Sequence, residues 1–259
     1  MTATSTLEPI ASTDSVACKI CQGPSPLFGV IDFHKSCLEG QGKRIALSGR
    51  PVYYRRCGVC SFTFTTAFDR WSQADFREQI YNDEYIVVDP DYVEARPTNC
   101  AKMIADTFQA SRRSIDILDY GGGSGMTADL LRKQGFSAAT YDPFSEFNVM
   151  PTERFDLISC FEVMEHVPFP KETVATMVSL LKDGGAILFS TLVQPAEFEM
   201  VGLNWWYAGP RNGHVSLYSQ PALAHLFREH GMNVGSFSEG LHFAYSSVPF
   251  FASHLLKTA

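Results

Sequence analysis

Hydrophobic positions along the second half of the chain alternate between two periods. Short apolar runs at Ile115–Leu118, Phe136–Tyr141, Phe155–Phe161 and Ala186–Val193 have the length and composition of buried strands. Between them the spacing turns helical. Met126 to Gln134 is amphipathic and stops at Gly135, and Val174, Met177, Val178 and Leu181 recur on one helical face. Pro170 opens that second helix where its missing N–H is harmless, and Gly184-Gly185 is expected to close it. Ser219 reads as the cap of a further helix whose Leu223, Leu226 and Phe227 face inward as far as Gly231. Asn233–Ser238 and His242–Val248 read as a closing hairpin, and Ala101–Ala110 as a helix ahead of the first strand. Strands alternating with helices in this way predict a doubly wound α/β sheet with its ligand at the carboxyl ends of the strands. The region after the second strand breaks the pattern, since residues 143–151 hold only the weak trace Phe147–Met150 between two prolines.

The first strand leads into Asp119, then Gly121, Gly123 and Gly125 at alternate positions, then a helix. Glycine admits positive φ and lets a ligand approach without a Cβ in the way. Asp142 stands 21 positions after Gly121, at the end of the second strand, where a carboxylate accepts hydrogen bonds from a ribose diol. The spacing is G-x-G-x-G rather than the G-x-G-x-x-G of dinucleotide folds. With the preceding Asp119 it resembles motif I of the class I S-adenosylmethionine (SAM)-dependent methyltransferases. FDLISCFEVMEHV, residues 155–167, is similar to the fourth-strand motif of the same family. The resemblance covers roughly residues 100–250, with Gly122 where a cysteine is common. It implies a Rossmann-like sheet of seven strands closed by an antiparallel hairpin. It also implies a cofactor site drawn from Asp119, Gly121, Gly123, Gly125, Asp142, Pro143 and Phe161. In related methyltransferases a tyrosine ahead of the domain covers the cofactor, a role for Tyr85 or Tyr81 here, and Phe144 is the candidate stacking partner of the adenine.

The N-terminal portion follows different rules. Cys18-Lys-Ile-Cys21 and Cys57-Gly-Val-Cys60 are two C-x-x-C turns, each able to point two thiolates to one side. Together they supply the four ligands of a structural Zn²⁺ site with no open position for chemistry. His34 and Cys37 lie between the pairs as alternative ligands. Val52–Tyr54 and Phe62–Phe64 read as short strands flanking the second turn, a zinc-ribbon-like arrangement, and Trp71–Tyr85 as helical. The expected organisation is a disordered tail over 1–14, a zinc-binding unit over 15–68 and a helical linker over 69–100. The SAM-binding domain follows over 101–259, with a lid insertion over 194–219. The 259 residues, 45% hydrophobic, are enough for one large core and a small accessory unit. Seven cysteines without a secretory leader suit a reducing, cytoplasmic setting, and no apolar run of about 18 residues suggests a membrane span. The net charge of −7 argues against a partner gripped through its phosphates.

Methyl transfer from SAM is an in-line displacement with a good leaving group, so alignment dominates, and a base is needed only where the acceptor must lose a proton. Glu162, Glu165 and His166, just past the fourth strand, are candidates for catalysis or acceptor binding. His214 is another, in a segment GHVSLYS that resembles a G-H-x-x-x-[FY]-S segment of many small-molecule methyltransferases. Trp205, Trp206 and Tyr207 offer surfaces that stack on rings, and Arg211 is a candidate for an acceptor phosphate or carboxylate. The zinc-plus-SAM layout resembles sugar C-methyltransferases, which implies a nucleotide sugar, a glycan or another small molecule as acceptor. An RNA or protein methyltransferase guided by the zinc unit, and a non-catalytic binding module that keeps the fold, are the alternatives.

Overall fold

The computed structural model describes residues 15–255; the tail expected over 1–14 lies outside the described residues. The chain begins with a small antiparallel pair, β1 (Val16–Ala17) and β2 (Pro24–Ser25). Next come β3 (Leu27–Asp32), β4 (Pro51–Arg56) and β5 (Thr63–Thr65). Helices α1 (Gln73–Gln79), α2 (Tyr85–Val88) and α3 (Ala95–Phe108) lead to the main sheet. That sheet is built from β6 (Asp116–Tyr120), β7 (Ser137–Tyr141), β8 (Phe155–Cys160) and β9 (Leu181–Ser190), with α4 (Met126–Lys133) and α5 (Pro170–Ser179) as crossovers. After β9 come α6 (Phe198–Val201), β10 (Ser216–Leu217), α7 (Gln220–Arg228) and the hairpin of β11 (Asn233–Ser236) and β12 (Leu241–Tyr245).

The main sheet runs β11-β12-β9-β8-β6-β7, with β6, β7, β8 and β9 parallel and β12 antiparallel to both neighbours. Apolar residues from α5 and α7 cover one face and those from α3 and α4 the other, so the sheet is doubly wound as the periodicity predicts. The family resemblance implies seven strands; the described residues form six. The strand missing is the one sought after Asp142, and β7 is left as the edge. Pro143 and Pro151 remove ladder donors, and Val149, the best apolar residue between them, is exposed. A second departure lies after α5. The glycine pair does not end the helix, which stops at Ser179; Leu181 already pairs with Phe155 in β9. Gly184 instead takes φ +73° inside a register shift, and a Cβ on Gly185 would crowd the carbonyls of Asp156 and Lys182. The glycines make a bulge that lets the strand begin early.

The second sheet, β10-β5-β4-β3, joins the N-terminal region to a later part of the chain, because β10 comes from the segment between β9 and α7. Its packing is continuous with the main core. Cys18, Cys57, Cys60, Phe62 and Phe64 share one buried cluster with Leu118, Ile158 and Phe189 of the main sheet, and half-buried Cys21 packs against it. Among the described residues no helix is long and apolar enough to cross a membrane.

Candidate active site

A cavity of about 620 Å³ opens beyond the carboxyl ends of β6, β7 and β8, where the order of the strands reverses. Asp119, at the end of β6, is 3% exposed. Its Oδ1 accepts a hydrogen bond from Ser159 Oγ at 2.9 Å, while Oδ2 is buried without a partner. Burial pushes this carboxyl up to about 6, against the pull of its hydroxyl neighbours. Gly121, Gly123 and Gly125 all take positive φ, and Gly121 N donates to Tyr141 O at 2.7 Å. A Cβ on Gly121 would lie 2.3 Å from Val163 Cγ2, whereas one on Gly123 would meet nothing within 4 Å, because Gly123 faces the open cavity. Asp142 ties the loop to the next turn: Oδ2 accepts from Gly123 N at 3.0 Å and Oδ1 from Phe144 N at 2.7 Å. An unpaired buried carboxylate oxygen beside a backbone cradle with room for a ligand fits the ammonium and adenosine parts of SAM.

The far wall is aromatic: Tyr81, Tyr85, Tyr92 and Phe144, with Arg96 and Asp89 beside them. Arg96 grips Asp89 through both guanidinium nitrogens, each at 2.9 Å, so the pair presents little net charge. The third wall is the turn after β8. Glu162 has φ +54°, a costly conformation for a residue with a Cβ. Ser190 Oγ holds it there, accepting from Glu162 N at 2.8 Å and donating to Glu162 Oε1 at 2.7 Å. His166 lines the cavity, and Glu165 points the other way, 0% exposed, with Tyr207 OH donating to its Oε1 at 2.6 Å. Burial, with the charge of Glu162 adding to it, raises the Glu165 carboxyl to about 8. His214 stacks edge-on behind His166, with ring centroids 4.9 Å apart. It is 4% exposed, and its Nδ1 lies 2.8 Å from Tyr207 O. Burial lowers the basicity of both imidazoles, that of His166 strongly.

The four C-x-x-C sulfurs converge within 4.8 Å of one another, with Cys18–Cys60, Cys21–Cys57 and Cys21–Cys60 at 3.7, 3.3 and 3.5 Å. Ligands about 2.3 Å from a tetrahedral zinc stand roughly 3.8 Å apart, so this donor set fits that ion. Backbone N–H groups of Ile20 and Val59 point at Cys18 Sγ and Cys57 Sγ, as befits thiolates.

Comparison with known proteins agrees with the geometry. Residues 92–236 match the family described as "Methyltransferase domain", more than half of the chain. The chain belongs to this family. The domain is of the SAM-dependent methyltransferase kind, as its loop and strand motifs imply. Among curated relatives, a ubiquinone biosynthesis O-methyltransferase of Acinetobacter baylyi is 26% identical over 159 residues, covering 49% of this chain and 66% of that protein. One of Coxiella burnetii is 27% identical over 108 residues, covering 32% and 46%. The chain thus spans about half the length of the Coxiella relative. Among solved structures, magnesium protoporphyrin IX methyltransferase from Synechocystis PCC 6803 with bound SAH aligns with TM-score 0.48 and 14% identity, over 70% of this chain and 97% of that one.

Within the methyltransferase domain, Asp119, Gly121, Gly123, Asp142, Pro143, Phe161, Glu162 and His166 all line the cavity, as does Tyr85 from the lead-in helix. Gly125 lies one step back, as the cap of α4 against Phe147. Other candidates lie elsewhere. His214 is behind the wall rather than on it. Cys37 is not with the other cysteines; its Sγ lies 3.6 Å from His214 Nδ1, and His34 Nδ1 meets Ala46 O. Arg211 is 4% exposed and spent on Ile80 O and Asn82 Oδ1, so it does not offer its charge to an acceptor. Trp205 and Tyr207 are buried and Trp206 covers Gly40; none of the three lines the cavity. Sequence reasoning passed over Arg96, Asp89 and Tyr92, whose only signal was a break in helical pattern at Asp89-Pro90.

Proposed function

We propose that the chain transfers a methyl group from SAM to an oxygen of a small, ring-shaped acceptor, with a nucleotide sugar or other carbohydrate as the finer candidate. The observation that carries this reading is one cavity with two unlike sides: a glycine cradle with Asp119 and Asp142, and an aromatic wall of Tyr81, Tyr85 and Tyr92. Flat amphipathic side chains of that kind suit a sugar or phenol ring. The names of the O-methyltransferase relatives favour oxygen as the atom methylated.

When bound, SAM supplies an activated methyl on a sulfonium. The glycine loop would let the cofactor's polar tail and nucleoside approach the main chain without a Cβ in the way, and the carboxylates of Asp119 and Asp142 would hold them. The tyrosines orient the acceptor and exclude water. His166, a neutral imidazole on the wall, accepts the hydroxyl proton at one of its ring nitrogens. The cysteine set holds a structural Zn²⁺ that fixes the N-terminal unit. The test is incubation of purified protein and SAM with nucleotide sugars in one panel and phenols in another, read as a gain of one methyl mass. Turnover of neither panel by protein that binds SAM would reject the acceptor class; failure to bind SAM would reject the reading altogether.

A further inference from the structure

Charge is divided unevenly along the chain. Residues 15–68 hold seven Lys and Arg against two Asp and Glu, although the chain as a whole carries −7. From Glu78 to Ala95 there are six acidic residues and no Lys or Arg. Each region also leaves apolar side chains in solvent. On the basic side, Val30 and Tyr53 are exposed register partners on β3 and β4, and exposed Leu47 shares the loop between those strands with exposed Lys43 and Arg44. On the acidic side, Ile86, Val87, Tyr92 and Val93 are roughly half exposed, among exposed Asp83, Glu84, Asp91 and Glu94. The basic residues that flank this second patch are turned elsewhere: Arg77 lies over the Phe144 ring, and Arg96 grips Asp89. The two patches adjoin, since Arg50 Nη1 donates to Gln79 Oε1 at 2.9 Å where α1 ends, just ahead of Asp83. Apolar side chains rimmed by charge in this way mark interaction surfaces.

We propose that the chain forms a two-fold dimer in which the basic patch of each copy lies on the acidic patch of the other. A two-fold axis pairs a surface with itself, so that surface must be self-complementary. Adjoining patches of opposite sign meet the requirement, because an axis passing between them forms both charge contacts at once. The apolar side chains then make the buried centre and the charges the rim, as in stable interfaces, which bury roughly 800 Å² per partner. A polyanion such as RNA would meet the basic patch but be repelled by its acidic neighbour, whereas a second copy satisfies both. The dimer also bears on the acceptor site. Tyr92 and Val93 belong to the acidic patch and line the cavity, so the partner's loop carrying Lys43 and Arg44 closes the outer edge of the aromatic wall. That consequence rests on the methyl-transfer reading; the dimer does not.

The test is sedimentation equilibrium of the full-length, zinc-loaded protein without SAM or acceptor, over a range of protein concentrations at low and at high salt. We expect a species of twice 28.8 kDa at low salt that dissociates as salt screens the charges. Lys43→Glu with Arg44→Glu, and separately Asp91→Lys with Glu94→Lys, should each weaken dimerisation by at least roughly tenfold, since like charges then face each other at both contacts. An equimolar mixture of the two charge-reversed proteins should pair again, because between unlike variants both contacts are of opposite sign. Circular dichroism checks folding. If a variant fails to fold, hydrogen exchange of the wild type decides, with protection over 43–50 and 83–94 expected to fall together on dilution. A monomer throughout at low salt, a dimer indifferent to salt and to both reversals, a mass that grows beyond two copies, or no re-pairing in the mixture would overturn the proposal. None of these readouts depends on turnover, so failure of the methyl-transfer reading leaves them intact.

Discussion

Asp119→Asn separates what this buried carboxylate costs the fold from what it gives the cofactor. The side chain is enclosed, with one oxygen on Ser159 and the other unpaired, and burial moves its pKa from the ordinary 3.8 to about 6. An acid whose folded pKa is raised holds its proton more tightly folded than unfolded. Its contribution to stability is therefore fully present below about pH 4 and lost as pH rises through about 6. At roughly 1.36 kcal/mol per pH unit, that displacement amounts to about 3 kcal/mol. The asparagine variant does not titrate, so its own fixed cost cancels in a comparison across pH. Denaturant unfolding of both proteins without cofactor should show the wild type losing about 3 kcal/mol relative to the variant between about pH 4 and pH 8. Binding should move the opposite way. Loss of a charged hydrogen-bond acceptor for the cofactor's ammonium, worth about 1.5–3 kcal/mol, should weaken SAM by roughly 10–150-fold in calorimetry at neutral pH. Parallel unfolding curves across pH would refute the account of burial, and unchanged SAM affinity would refute the placement of the ammonium.

The glycine loop yields a paired test. Gly121→Ala drives a Cβ to 2.3 Å from Val163 at φ +77° and should destabilise by more than about 2 kcal/mol. Gly123→Ala at φ +56° meets no neighbour and should cost only about 1–2 kcal/mol, yet abolish SAM binding by filling the cradle; calorimetry against unfolding midpoint separates the two. Chelation, or Cys57→Ser, should release one zinc per chain by elemental analysis with a large fall in melting temperature; an unchanged melt would dismiss the metal. Ser219→Ala removes both the cap on Ala222 N and the donor to Cys60 O and should cost about 1–3 kcal/mol by denaturant unfolding.

What the sequence made legible is what local pattern encodes. The strand runs, the glycine loop, the cap at Ser219 and the closing hairpin depend on neighbours within a few positions, and the structure places them where the periodicity does. The helix after Pro170 shows the limit of that logic. Leu181 continues the helical spacing of Val174, Met177 and Val178, yet it belongs to β9, because pairing with Phe155 outweighs one more helical turn. Cys37 shows a different limit. Its place between two C-x-x-C turns suggests a metal ligand, but it meets His214, 177 positions away, and no spacing rule reaches that far. Arg211 was opaque for the same reason, its partners Ile80 and Asn82 lying about 130 positions away, whereas the Asp89–Arg96 pair is local but sits across the break between α2 and α3, where no regular period applies.

These distant contacts explain why the N-terminal unit is not simply appended to the methyltransferase domain. The second cysteine turn is followed at once by β5, and β5 pairs with β10. β10 in turn follows His214, whose carbonyl accepts from Tyr54 OH at 2.6 Å, and Val215 N donates to Glu165 O at 2.9 Å. Tyr218 extends the chain of contacts, its ring 5.1 Å from that of Phe62 and its hydroxyl on Met164 O. The turn that presents His166 to the cavity is therefore braced by the residues flanking β10, which Tyr54 of β4, Phe62 and the pairing with β5 hold in turn from the cysteine side. The glycine loop is held chiefly by β6, β7 and Asp142 within the main sheet, and it meets that turn at Val163 beside Gly121. Loosening the cysteine cluster should thus disturb the His166 turn before the glycine loop, because the contacts flanking β10 reach that turn directly.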